Sequence, residues 1–176
     1  GPVWIDIPLD IQAAMIDESA LRHFDPSEIT EESSLLDVMR QIQQLRGLLA
    51  QKKRPVLVVG NGIRLAGAKE RLVPFAEKLG IPVLTAISGI DLIPSDHPLF
   101  FGRPGVLGER AANFIFQNSD LLIVVGTRLN LRILGFDFKS LARSATKIMV
   151  DADKAELYKP TFPVDIPIHC DAGVFI

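Results

Sequence analysis

One cysteine, one tryptophan and one tyrosine occur in 176 residues, and no apolar run is long. A lone Cys170 can form neither an internal disulfide nor a cysteine-based metal site, so it reads as a small apolar side chain near a strand end. The expected compartment is cytoplasmic. The longest apolar runs, such as Leu121 to Val125, fall far short of the roughly 20 residues that cross a bilayer, and no signal-peptide pattern opens the chain. Charge of one sign is scarce too. Nineteen Lys and Arg stand against 21 Asp and Glu, a net charge of −2, and no basic cluster reaches the density that phosphate-backbone binding needs. A membrane, secretion and nucleic acid are therefore not expected. The chain lacks an initiator Met and closes on Gly173-Val174-Phe175-Ile176 without a stop signal, which reads as a piece of something longer.

What is present is a soluble-protein composition, 48% hydrophobic, arranged in three parts. Residues 1–16 open with "GPVWIDIPLDIQ", in which Val3-Trp4-Ile5 is strand-like and the two prolines argue against a helix. Residues 17–34 are polar and acidic, interrupted by Pro26, and read as a linker. From residue 35 the signal sharpens. Leu35, Leu36, Met39, Ile42, Leu45, Leu48 and Leu49 recur at helical spacing until Pro55 opens Val56-Leu57-Val58-Val59.

Helix and strand then alternate: strands at 56–59, 82–86, 121–125, 147–151 and 166–170, helices near 66–79 and 108–118, and a short one from Lys154. The strands are continuous apolar runs, as expected when helices cover both sheet faces. The pattern predicts an α/β fold, a doubly wound, Rossmann-like parallel sheet of about six strands. Ligands bind such sheets beyond the carboxyl ends of the strands, so the loops after residues 59, 86, 125, 151 and 170 carry the functional question.

After the first strand, Gly60-Asn61-Gly62 is followed by Leu65 where a dinucleotide fingerprint would place its third glycine, and the second strand ends in Thr85-Ala86 instead of an acidic residue. The turn is thus either a tight corner or an anion-holding helix start. The third strand leads into Gly126, Arg128, Asn130 and Arg132; in an extended segment these last three would share one side and suit a diphosphate. Arg103 and Arg110 lie around Gly102, Gly105 and Gly108 in a basic loop. Asp151, Asp153 and Asp171 follow strand ends, where each suits either a ribose hydroxyl or a helix N-cap. His97, between Asp96 and Pro98, reads as a turn residue. No nucleophile, base and orienting group fall together, so neither a catalytic residue nor a metal ligand is assigned.

Together these blocks resemble the central domain of thiamine-diphosphate-dependent enzymes of the acetolactate synthase type. "RPVLVVGNGIRLAGAKERLVPFAEKLGIPVLTAISGIDLIPSDHPLFFGRPG" resembles its first half, and "SDLLIVVGTRLNLR" with "KIMVDADKAELYKPTFPVDIPIHCDAG" its second. "GPVWIDIPLDIQ" resembles the segment closing the family's amino-terminal, pyrimidine-binding domain. The resemblance implies residues 1–16 as the terminal strand of that domain, 17–34 as a linker and 35–176 as the central domain. It implies thiamine diphosphate and magnesium in the intact enzyme, held outside this chain, and flanking pyrimidine- and diphosphate-binding domains in a homo-oligomer.

It also implies an adenine nucleotide, FAD or ADP, in the central domain. The matching positions are Gly60, Asn61, Gly62, Thr85, Gly102, Gly126, Arg128, Asn130, Arg132, Asp151 and Asp171. Flavin members carry an aromatic-Asp-Asp-Arg run where this chain has Leu129-Asn130-Leu131-Arg132, a departure that counts against FAD and leaves an adenine nucleotide or an empty cleft. The expected function is a scaffold and possible nucleotide site in a lyase or transferase acting on 2-oxo acids, not catalytic alone. Two rivals stand beside it: a free-standing flavin or nicotinamide domain of an electron-transfer protein, and a purely structural spacer.

Overall fold

The computed structural model describes residues 3–29 and 34–176. The chain divides into two compact units, residues 1–32 and 33–176.

In the first unit Val3 to Ile5 does not form a strand, and a short helix, α1 (Leu9–Gln12), follows instead. Both departures have a local cause. A strand needs a neighbour for its N–H and C=O groups, and among the described residues none pairs with this segment. Pro8 stands at the N-cap of α1, where a missing N–H costs nothing, so proline here starts a helix instead of forbidding one. Two 3₁₀ turns follow, Glu18–Ala20 and Pro26–Ile29, and the Asp17 carboxylate caps the first by accepting from the Ser19 N–H at 3.0 Å. Residues 3–27 are exposed throughout.

The second unit begins with α2 (Leu35–Gln51), capped by Ser34. Then come β1 (Pro55–Val59), α3 (Gly62–Leu65), α4 (Lys69–Leu79), β2 (Val83–Thr85), α5 (Arg110–Asn118), β3 (Leu121–Val125), α6 (Leu131–Leu134), β4 (Thr146–Asp151), α7 (Lys154–Leu157), β5 (Ile166–His169) and α8 (Ala172–Phe175). The five strands are all parallel, in the order β2-β1-β3-β4-β5. Beyond β2 a single parallel bridge, Val83 to Phe100, marks where a sixth strand would lie. At the opposite ends of the strands, Asp120 ties β1 to β3 by accepting from the Lys53 and Arg54 N–H groups at 2.9 and 2.8 Å.

Side-chain alternation turns each continuous apolar run into two cores. Leu57, Val59, Leu121, Ile123, Val125, Ile148 and Val150 pack with Val38 and Leu45 of α2, Leu72 and Ala76 of α4 and Phe175 of α8. Val56, Val58, Leu122, Val124 and Met149 face the other way, onto Ala112 and Phe116 of α5, Ile133 and Leu134 of α6 and Leu157 of α7. Period two on a sheet covered on both sides makes every position apolar. The connection after β1 runs over the first face towards β2, and the one after β3, through α6, runs over the second towards β4 on the other side. The chain therefore leaves β1 and β3 in opposite directions, and a crevice opens between their carboxyl ends.

Candidate functional site at the sheet's carboxyl edge

The loop after β1 meets the loop after β3 backbone to backbone. Gly60 N–H donates to the Val125 carbonyl at 3.1 Å and Gly62 N–H to the Gly126 carbonyl at 2.8 Å. A Cβ on Gly60 would lie 2.4 Å from Thr127 Cβ, one on Gly62 2.6 Å from Gly126 Cα, and one on Gly126 2.8 Å from Ile63 N. Gly126 also has φ +61°, which favours glycine. The glycines are thus required by each other, and the N–H groups of Gly60 and Gly62 are already donated within the protein. The opening turn is a tight corner that lets two loops touch.

Above this junction lies a cleft of about 340 Å³ lined by Asn61, Gly62, Ser88, Gly126, Thr127, Arg128, Asn130, Asp151 and Asp171, with Ile87 and Ile133 on its apolar side. Of the positions singled out in the sequence, Asn61, Gly62, Gly126, Arg128, Asn130, Asp151 and Asp171 come together here. Gly60 lies beneath, in the glycine junction. Thr85 is fully buried at the end of β2, its Oγ1 without a hydrogen-bond partner, and does not line the cleft. Gly102 lies along the sheet edge, where its carbonyl accepts from the Thr85 N–H at 3.2 Å.

Arg128, Asn130 and Arg132 do not share one side, because the segment is not extended. Leu129 takes φ +44° and is buried, and Asn130 caps α6 by accepting from the Arg132 N–H at 3.1 Å. Burial of the Leu129 side chain, about 1.5–3 kcal/mol, offsets the roughly 1–3 kcal/mol cost of the unfavourable backbone. The turn sends Arg132 to a second cavity of about 570 Å³, mostly apolar, lined by Ile90, Val106, Leu107, Leu131 and Phe136 and sharing Ile87 and Ile133 with the first. Arg103 also borders that cavity and is ion-paired with Glu109 at 2.7 Å.

The acidic residues separate into different roles. Asp153 and Asp171 are N-caps, accepting from Ala155 N–H at 2.9 Å and Gly173 N–H at 2.7 Å. Asp171 caps and lines the cleft at once. Asp151 ends β4, accepts from the Asp153 N–H at 2.9 Å and is half-buried. Burial, and then the negative charges of Glu156 and Asp153, raise its carboxyl above the usual carboxylate range, although the Asp153 N–H and Lys159 oppose this.

Arg128 is 76% exposed at the rim, its Nε 2.7 Å from Oε1 of Glu156. Lys159 Nζ lies 2.8 Å from the other Glu156 oxygen and also donates to the Arg128 carbonyl. Glu156 and Lys159 were not legible as site residues: they reach Arg128 only because α7 follows the neighbouring strand. On the opposite wall Arg64 bonds Asn61 Oδ1 and Asp91, fixing the Asn61 amide.

Cys170 is buried, and desolvation followed by the charge of Asp171 pushes its thiol up to about 11, so it stays protonated and unreactive. His97 is a turn residue, its Nδ1 accepting from the Leu99 N–H at 3.2 Å. Among the described residues no group of three or more His, Cys, Asp or Glu is placed to hold a metal ion, and no helix is long and apolar enough to cross a membrane.

Residues 42–176 match the family model "Thiamine pyrophosphate enzyme, central domain". The chain is 38% identical to a probable acetolactate synthase large subunit of Methanococcus aeolicus over 100% of its own length and 29% of the relative's. It is 40% identical to the acetolactate synthase large subunit of Corynebacterium glutamicum, over 98% of the chain and 27% of the relative. A 3D-(3,5/4)-trihydroxycyclohexane-1,2-dione hydrolase of Clostridium perfringens is 34% identical over 84% of the chain and 22% of its own length. The chain thus spans under a third of the length of these relatives.

Proposed function

That this chain belongs to the thiamine pyrophosphate enzymes, as their central domain, is the premise from which we infer its function. It is the scaffold and adenine-nucleotide-binding domain of an enzyme acting on 2-oxo acids in the manner of acetolactate synthases, and it is not catalytic alone. The observation that carries the nucleotide reading is the position of the cleft: it lies at the switch point between β1 and β3, with an arginine at its rim and a half-buried carboxylate at a strand end. The terminal nitrogens of Arg128 suit a phosphate, and Asp151 or Asp171 suits ribose hydroxyls. The carbon–carbon chemistry of such a lyase or transferase would be supplied by thiamine diphosphate with magnesium, held by flanking pyrimidine- and diphosphate-binding domains in a cytoplasmic homo-oligomer.

Between the two nucleotides, the second cavity favours FAD. It continues the first through Ile87 and Ile133 and is lined chiefly by apolar side chains, which suits a ligand with a flat apolar end better than ADP.

The test compares ADP, FAD and NAD by thermal shift and calorimetry on the wild type and on Arg128→Ala. A charge-assisted contact contributes roughly 1.5–3 kcal/mol, so losing Arg128 should weaken ADP or FAD binding about tenfold or more. Undiminished binding would sink the assignment. A response to NAD alone would favour a free-standing electron-transfer domain, and no response to any of the three would favour a structural spacer.

A further inference from the structure

The geometry points to Glu156 as a positioning residue of the nucleotide cleft: it holds Arg128 on its Nε side and leaves the two terminal nitrogens for an oxyanion, while Lys159 offsets its charge. This rests on the cleft's being a nucleotide site. Three features lead to it. Glu156 is only 15% exposed while Arg128 is 76% exposed, so the carboxylate is the fixed partner and the guanidinium the movable one. The ion pair with Glu156 runs through Nε, and among the described residues the guanidinium has no partner other than Glu156. Lys159 touches both the second oxygen of Glu156 and the Arg128 carbonyl, so a single lysine fixes the carboxylate and the loop that carries the arginine.

The arrangement has a physical purpose. A free arginine samples many rotamers, and ordering it on binding opposes affinity. An arginine already paired through Nε has less freedom to lose and still presents a bidentate edge to phosphate. A bare glutamate beside that edge would repel the anion; with Arg128 and Lys159 matching it, the three side chains carry a net charge of +1 beside the Asp151 carboxyl.

The competing expectation has the opposite sign, which makes the inference testable. If Glu156 acted only through its charge, removing it would strengthen binding of an anion. If it positions Arg128, Glu156→Ala should weaken ADP binding, by roughly 3- to 10-fold from the cost of ordering one long side chain. Glu156→Gln keeps an oxygen that can accept from Nε and should recover most of the loss.

The experiment uses the whole chain and two readouts. In the ligand-free protein, the Arg128 Nε–H resonance should be resolved in wild type and Glu156→Gln and lost in Glu156→Ala. Calorimetry then measures ADP on all three. Equal or tighter ADP binding by Glu156→Ala would overturn the inference and leave the cleft standing as a nucleotide site. An Arg128 resonance unchanged by Glu156→Ala would overturn it as well. A wild type that shows an ordered Arg128 and binds neither ADP nor FAD would overturn both the nucleotide reading and the role that depends on it.

Discussion

Asp151 stands at the end of β4 in surroundings that work against its own charge. Its carboxyl is raised by burial and by Glu156 and Asp153, so ionising it costs more in the folded chain than in the unfolded one. Below the ordinary value of 3.8 the group is neutral in both states and the cost vanishes; as pH rises through the raised folded value, stability is lost. Asp151→Asn should therefore raise the melting temperature at pH 7, with the gain disappearing below about pH 4. The Asn oxygen can still accept from the Asp153 N–H. The same substitution should weaken ADP binding roughly tenfold, since a charged acceptor for ribose hydroxyls is replaced by a neutral one. Melting curves across pH and calorimetry check the two halves separately; a uniform gain at every pH would contradict the burial argument.

The elements that frame the site are joined by contact between loops, and the glycines there differ in kind. Gly126 has φ +61° and a would-be Cβ 2.8 Å from Ile63 N, whereas Gly67 has φ +64° with nothing within 4 Å. Alanine at position 67 meets only the left-handed backbone penalty, about 1–2 kcal/mol. Alanine at position 126 adds a backbone clash, for a total of roughly 2–5 kcal/mol. Urea unfolding of Gly67→Ala and Gly126→Ala should separate the two, and equal losses would mean that the β1–α3 and β3–α6 loops do not pack as described. These loops explain why a glycine turn after a strand gives an ambiguous signal in sequence. The same residues serve a phosphate-holding loop or a backbone contact, and the partner, Gly126, lies far along the chain.

At the scale of the molecule, residues 33–176 contain the whole sheet and both apolar cores, while residues 3–27 are exposed throughout. Removing residues 1–32 should leave the urea midpoint of the remainder unchanged, the free energy moving by less than about 0.5 kcal/mol as for changes to exposed surface. Limited proteolysis should likewise trim the first unit before the second. A large loss of stability on truncation would show that the first unit contributes to the fold. The strand order places β3 at the centre of the sheet with β1 beside it, so the cleft lies beyond the carboxyl ends of two interior strands.

The sequence by itself determined the fold class and the family, because both are written in local patterns: continuous apolar runs separated by helix-spaced ones, and blocks of residues in a fixed order. It also marked the loops that carry ligands in such sheets, since these follow from where strands end. What each side chain does there was decided only by tertiary structure. Arg128 faces Glu156 because β3 and β4 are neighbours, a pairing between residues 28 positions apart that no local rule anticipates. Arg132 turns to the other cavity because burial of Leu129 bends the loop, and Gly60 and Gly62 donate their N–H groups to β3 and its loop. Helix and strand preferences are read from neighbours in sequence, whereas loop bends such as that at Leu129 and the contacts of side chains are set by neighbours in space, which only the folded sheet brings together.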